Sequence, residues 1–219
     1  IHLAVAHELA GLTLDAKGSL DLDKQQWQGK IGTLDLDGKQ WGQWGLKTPV
    51  TLSASPEAVK TSELCLQEGG TALCAQADWK PDGGTAKLTL NDLSFDRLKP
   101  ILPDEITELQ GGIALVANAV LGPTLTAKLD LSMKPGRITY LIDEVHQVRL
   151  TYQGGGLKAN YDHKALAATL KLNMEDSGID AALNVPRPAL DKDPLSAPLK
   201  GKLDFDFKQL GLLTAFVPQ

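Results

Sequence analysis

The chain has 219 residues, of which 42% are hydrophobic and 22% charged, an ordinary composition for a protein that buries a core. This composition excludes a disordered or collagen-like chain. The 27 Asp and Glu residues outnumber the 22 Lys and Arg residues, and no basic cluster occurs, which argues against a nucleic-acid binder with a basic face.

The apolar residues are mostly aliphatic, with 38 Leu against only 4 Trp, 3 Tyr and 4 Phe. The longest apolar runs, 113–117 and 119–121, fall far short of the roughly 20 residues of a membrane-spanning helix. The sequence begins with Ile1, without a Met or a signal-like segment. We therefore expect a piece of a longer chain, with any anchor or signal outside it.

Alternation of apolar and polar residues begins near the start and recurs almost everywhere, which predicts strands with one buried and one wet face. In the first half the alternating runs are 12–14, 20–23, 34–37, 50–52, 75–79 and 88–90. Ser94 then caps a predicted helical turn at 95–102, which prolines end. The pattern predicts an all-β fold.

The second half repeats this organisation. Its alternating runs are 125–133, 157–161, 166–174, 179–185 and 203–207, and the whole chain is predicted to hold about fifteen strands. Residues 186–198 are predicted to form a loop, and residues 210–217 a second short helical turn. An antiparallel meander with two helical turns follows from these patterns.

Glycine and proline clusters separate the alternating runs, and we predict a turn at each one. The clusters are 17–18, 37–38, 69–70, 81–84, 111–112, 122–123, 134–136, 154–156 and 177–178.

An internal similarity at an offset of 115 residues predicts two structural units. Lys87-Leu88, Leu90 and the pattern ending at Pro103 match Lys202-Leu203, Phe205 and the pattern ending at Pro218. We predict one unit ending at residue 103 (1–103) and a following repeat unit at 104–219. Chance similarity in a leucine-rich chain is the alternative.

Cys65 and Cys74 flank a predicted two-residue turn at Gly69-Gly70. Counting outward from the turn sets Cys65 opposite Cys74 at a non-hydrogen-bonded position, where Cα atoms lie about 4.5 to 5.5 Å apart. We predict a cross-strand disulfide on the face opposite Leu66 and Leu73, hence an oxidising compartment. Two free thiols in a reducing cytosol are the alternative.

Signals for catalysis and metal binding are missing from the sequence. The four histidines, His2, His7, His146 and His163, stand at no metal-ligand spacing. Gly154-Gly155-Gly156 lacks the Lys-Ser/Thr of a phosphate loop, and the Asp-x-Asp pairs are typical of the wet side of strands. We predict no enzyme activity, cofactor or metal.

The sequence resembles the periplasmic part of the TamB family, inner-membrane-anchored subunits of the bacterial translocation and assembly module. The resemblance covers about 60–219 and rests on the stretch from Leu64-Cys65 to Trp79, on Gly111-Gly112-Ile113, and on the L-x-x-Φ-Φ-P patterns that end at Pro103 and Pro218. It implies an AsmA-like bridge through the periplasm. The implied fold is an elongated, curved antiparallel β-sheet, a β-taco or half-pipe, with an apolar concave groove.

In such a fold the apolar strand positions would line one continuous lipid groove. The residues predicted to line it are Leu88, Leu90, Ile113, Leu115, Ala117, Leu125, Ala127, Leu129, Leu131, Met133, Ile138, Tyr140, Val148, Leu150, Leu157, Ala159, Leu166, Ala168, Leu170, Leu172, Ile179, Ala181, Leu183, Leu203, Phe205 and Phe207. Several are alanines, which leave room in the face. A close approach of two sheets at these alanines is the alternative.

The resemblance implies phospholipid transport between the two membranes and support of outer-membrane protein assembly, with the outer-membrane barrel TamA as partner through regions outside this chain. Phospholipid acyl chains are the predicted ligands. A chaperone-like platform for nascent outer-membrane proteins or autotransporter strands is the alternative function, and a structural spacer is a third.

Overall fold

The computed structural model describes residues 1–7, 10–38, 42–143, 146–175, 177–186 and 200–207. Of these residues 79% are in strands and 4% in a helix, which confirms the predicted all-β class. The strands are β1 (His2–Ala6), β2 (Ala10–Asp21), β3 (Gln26–Gly38), β4 (Gly42–Leu46), β5 (Val50–Ser55), β6 (Ala58–Thr61), β7 (Leu64–Glu68), β8 (Thr71–Lys80), β9 (Gly83–Ser94), β10 (Ile106–Leu121), β11 (Thr126–Leu141), β12 (Gln147–Tyr161), β13 (Ala165–Met174), β14 (Ser177–Pro186) and β15 (Lys200–Phe207).

These strands belong to one antiparallel sheet of fifteen strands. Its order is β1-β2-β3-β4-β7-β8 and then sequential from β9 to β15, while β5 pairs with β3 and β6, and β6 also pairs with β8. Antiparallel order is expected, because connections this short cannot cross over to make parallel neighbours.

A 3₁₀ helix at Phe95–Ile101 follows β9 and confirms the first predicted helical turn. The Ser94 hydroxyl accepts a hydrogen bond from the Asp96 N–H at 3.3 Å, as expected of an N-cap. Among the described residues no helix has the length and apolarity to cross a membrane. The second predicted turn, 210–217, lies outside the described residues, and so does the predicted loop beyond Pro186.

The chain divides into two compact units. The first unit comprises Ile1–Leu93 and Leu115–Ala127, and the second comprises Ser94–Ala114 and Lys128–Gln219. The predicted repeat boundary at residues 103 and 104 stays a prediction.

Five of the predicted turns are wrong, because their residues belong to strands. Gly18 lies within β2, 111–112 within β10, 134–136 within β11 and 154–156 within β12. The physical reason is that glycine serves a bulge or a close backbone approach as readily as a turn. Ser177 and Gly178 likewise open β14 instead of forming the turn before it. The turn at Gly69-Gly70 is confirmed.

Register shifts interrupt the strands of the first unit. Asp15 pairs with Thr33 and Ala16 with Ile31, so Gly32 is an extra residue on β3. The neighbouring strands are broken at 47–49 and 62–63, where the Lys47 N–H donates to the Cys65 carbonyl at 2.8 Å. We call Gly32 and these two breaks the first bulge line.

The second unit has a similar line on three consecutive strands. Gly111 in β10 and Gly154 in β12 have φ angles of 114° and 118°, in the region that favours glycine. Gly136 in β11 lies close to the Gln110 carbonyl, which leaves no room for a side chain. The ring of Tyr152, only 3% exposed, lies against Gly111 and Gly136, and its hydroxyl donates to the Gln110 carbonyl. These three glycines form the second bulge line.

Deep burial is rare in the described part of the chain. The hydrophobic residues less than 9% exposed are Ala16, Val50, Cys65, Leu66, Tyr152 and Val185. A packed sandwich of this length would bury many more, since close packing needs a second layer. The apolar strand positions of the described residues are therefore mostly half-exposed.

Candidate apolar binding face

The second unit aligns its predicted apolar residues in rows across neighbouring strands. Leu157 pairs with Leu170, Leu170 with Ala181, and Ala181 with Leu203. Because directly paired residues point to the same side of a sheet, these four side chains share a face. Parallel rows on that face are Ala159–Ala168–Leu183, Tyr161–Leu166–Val185 and Leu172–Ile179–Phe205.

The opposite face of the same strands is charged. Lys171 lies 3.1 Å from Asp180, and Lys202 lies 2.8 Å from Asp204, whose hydrogen bond raises the pKa of Lys202. Lys158 lies 3.5 Å from Asp130, so this face continues onto β11. Alternation then places Leu129 and Leu131 on the apolar face. These exposed ion pairs contribute little to stability, but they keep the outer face hydrated.

A bulge in β12 brings two apolar series onto one face. Val148 and Leu150 have the opposite parity to Leu157 and Ala159, and an uninterrupted strand would point them to opposite sides. The register shifts between Tyr152, which pairs with Met174, and Gly154, which pairs with Asn173. Since Met174 and Leu170 lie on one face of β13, the two series of β12 also share a face.

An open depression of about 400 Å³ lies on these strands. Its apolar-face lining consists of Leu157, Ala168, Leu170, Ala181, Leu183 and Leu203, with Ala182, Gly201 and Lys202 completing it. The alanines create the space, because a larger side chain at 168 or 181 would fill it. All described strands belong to one hydrogen-bonded sheet, so a close approach at these alanines would require that sheet to fold back on itself.

The first unit has an apolar face of the same kind. Leu73 pairs with Leu90 and Ala75 with Leu88, on the side opposite the disulfide. Leu115 and Ala117 alternate with the exposed Val116 and Asn118.

The other predicted lining residues differ in exposure. Ala127, Leu129, Leu131, Met133, Ile138, Ile113, Val148 and Leu150 are half-buried. More than a third of each of Leu88, Leu125, Tyr140, Leu170, Leu203 and Phe205 is exposed. Phe207 pairs with Ser177, and its side chain lies outside the description. A lipid-lining role for all of these residues stays a prediction.

The apolar face also includes residues before residue 60 that our sequence analysis did not assign to the groove. Leu12 pairs with Leu36 and Leu14 with Leu34, all on one face. Trp27, which pairs with Ala54, packs against Gly18 and Gly29. The same alternation could have identified them, but the family resemblance that guided the assignment is weak before residue 60.

The predicted disulfide is confirmed. Cys65 pairs with Cys74 in the β7–β8 ladder, their Cα atoms lie 4.0 Å apart, and the sulfurs are bonded. The Cα distance is shorter than the predicted 4.5 Å. Glu63 has a carboxylate oxygen within 4.8 Å of both sulfurs, a grouping that resembles a metal site. The disulfide leaves no thiolate to bind a metal there.

Two histidines are paired with carboxylates at the surface. His2 Nδ1 lies 2.7 Å from Asp15, and His146 Nδ1 lies 2.8 Å from Asp143. Neither imidazole is hydrogen-bonded to a Ser, Thr or Cys side chain in the described part of the chain. The pairs therefore lack the nucleophile of a catalytic triad.

A sequence model described as the N-terminal domain of TamB matches residues 1–219. No curated protein and no solved structure matches the chain.

Proposed function

The chain belongs to the TamB family, and from this membership we propose that it is a segment of a periplasmic bridge that shelters phospholipid acyl chains on its apolar face. The observation that carries the proposal is the pairing of a half-exposed aliphatic face with a charged opposite face on the same strands. Such a sheet is soluble on one side and offers an apolar surface on the other.

Burial of acyl chains provides enough free energy for reversible loading. Each sheltered methylene contributes about 0.8 kcal/mol, so partial shelter of a chain of about 16 carbons gives on the order of 5 to 10 kcal/mol before ordering costs. The alanines at 168 and 181 support the proposal, since they leave space between leucines that an extended acyl chain would fill.

The family and the disulfide both support a location in the periplasm. Bonds such as Cys65–Cys74 persist in oxidising compartments, which supports a periplasmic location for this segment of an inner-membrane-anchored protein. We propose that the bridge carries phospholipid between the inner and outer membranes. It would support outer-membrane protein assembly with TamA through regions beyond this chain.

A second candidate function has its own structural support. The half-exposed apolar face on β13 and β14 would also accept the apolar side chains of an extended outer-membrane strand. A chaperone-like platform for nascent outer-membrane proteins or autotransporters would require such a surface.

Strand parity in β11 gives the decisive experiment. Photo-crosslinkers placed at 127, 129 and 131 in the full-length protein should capture phospholipid, whereas those at 126, 128 and 130 should not. Neighbouring residues of a strand face opposite sides, so the comparison needs no further control for position. Equal lipid capture at both parities would contradict the proposal, and capture of protein alone at 127, 129 and 131 would favour the β-strand platform.

A matched pair of variants tests transport itself. Leu129→Asp places an unpaired carboxylate on the apolar face, where acyl chains cannot solvate it, and should abolish lipid transport. Lys128→Asp changes the wet face and should leave transport intact. Unchanged circular dichroism spectra would show that both variants fold. Normal transport by a folded Leu129→Asp variant would indicate a spacer.

A further inference from the structure

Two lysines oppose each other on the charged face of the first unit. Lys17 of β2 pairs directly with Lys30 of β3, and like charges at such a position are unfavourable. Neither ammonium forms an ion pair with a carboxylate of the described residues.

The second unit also contains a directly paired couple of like charges, but there each charge has a partner of opposite sign. Asp180 pairs directly with Asp204, and here Lys171 and Lys202 neutralise the two carboxylates at 3.1 and 2.8 Å. The lysine pair therefore has a positive charge that no side chain of the described residues balances.

The groups around this pair suit an anion. Lys17 and Lys30 line an open depression of about 730 Å³ together with Gly32 and Thr33. Gly32 is the extra residue of the bulge and has no partner on β2, which leaves backbone polar groups available there. Thr33 supplies a hydroxyl. Asp15, the acidic residue of the lining, is bound to His2 at 2.7 Å.

We propose that this depression binds a phosphate group, held by the Lys17 and Lys30 ammonium groups and by donors at Gly32 and Thr33. Lysine binds phosphate as a point charge, and two ammonium groups match the charge of a phosphate ester. The chain as a whole has a net charge of −5, which repels an anion. Phosphate binding would therefore have to come from the local positive charge of Lys17 and Lys30. The Lys17 and Lys30 side chains lie on the face opposite Leu14, and Ala16 borders the depression beside them.

Lys30→Glu is the informative variant, because it converts a repulsive pair into an attractive one. At low ionic strength the variant should melt at a higher temperature than the wild type without ligand, yet bind inorganic phosphate at least tenfold more weakly in calorimetric titration. A loss of folding could not produce this combination. Lys158→Glu, which changes a lysine already paired with Asp130, should leave phosphate binding unchanged.

Competition identifies the source of the phosphate group. Dihexanoylphosphatidylglycerol that displaces inorganic phosphate from the wild type would assign the site to a lipid headgroup. Failure to displace it would assign the site to a soluble phosphate compound. Equal phosphate affinity of the wild type and Lys30→Glu, or no phosphate binding by the wild type, would overturn the proposal.

Discussion

The two bulge lines differ in how they disturb the strands and in the chemistry that stabilises them. Strands end beside the first line, whereas β10, β11 and β12 continue through the second. In the first unit the breaks beside Gly32 lie near a covalent bond, Cys65–Cys74, and near Val50, which is fully buried. In the second unit no disulfide is present, and the ring and hydroxyl of Tyr152 span Gly111 and Gly136. A disulfide stabilises the first line, and a buried aromatic side chain stabilises the second.

In both units the deeply buried residues concentrate where a strand is bent or broken. Of the residues less than 9% exposed, Ala16, Val50, Cys65 and Leu66 lie at or beside the first bulge line and Tyr152 at the second. Bulges break ladder hydrogen bonds and bend a strand, so they are the places that need additional contacts. The apolar face of each unit stays half-exposed, as a binding surface must.

The largest effect should follow removal of the aromatic side chain. Tyr152→Ala deletes a buried ring and leaves the Gln110 carbonyl without its donor, so we expect a loss of roughly 3 to 5 kcal/mol in the free energy of unfolding. Tyr161→Ala, which removes a half-buried tyrosine from the same strand, is the matched control and should cost distinctly less.

The sequence provides separate probes for this measurement. All four tryptophans lie within residues 1–93, in the first unit, whereas all three tyrosines lie in the second. Urea unfolding of Tyr152→Ala should therefore shift the tyrosine absorbance transition more than the tryptophan fluorescence transition. Equal costs for Tyr152→Ala and Tyr161→Ala would contradict the role of Tyr152 at the bulge line.

Loss of the disulfide should have a smaller effect, in the other unit. The bond closes a loop of about ten residues, for which the loop-entropy argument gives roughly 2 to 3 kcal/mol. Cys65→Ser with Cys74→Ser should lower the melting temperature in the tryptophan signal while the circular dichroism spectrum keeps its strand signature. Complete unfolding of this variant at room temperature would show that the disulfide is required for folding.

Sequence reasoning predicted what depends on local periodicity. Alternation placed Leu170 and Ala181 on one face, and counting outward from Gly69-Gly70 paired Cys65 with Cys74. Both results follow from the period of two along a strand, which needs no knowledge of distant contacts.

The bulge lines could not be predicted in the same way. Glycines 111, 136 and 154 look like turn residues, and only a partner on the neighbouring strand decides between a turn and a bulge. One signal was present in the sequence: the apolar series of β12 changes parity between Tyr152 and Leu157. A change of parity without a polar loop indicates an extra residue within one strand.

The smallest effect is a loss of stability at alkaline pH. It should depend on the second bulge line, which contains the titratable Tyr152 hydroxyl, and not on the disulfide of the first. Burial raises the pKa of the Tyr152 hydroxyl above its ordinary value of 10.0. The folded state then binds its proton more tightly than the unfolded state, so this contribution to stability is complete below pH 10 and is lost as the pH rises through the pKa of the folded state. The first bulge line has no such group in Cys65–Cys74, since a disulfide does not titrate.

Between pH 9 and 11 the free energy of unfolding should fall more steeply for the wild type than for Tyr152→Phe, which keeps the ring but cannot ionise. Urea titrations at several pH values would measure the two slopes, and identical slopes would mean that the Tyr152 hydroxyl is no more protected in the folded chain than in the unfolded one.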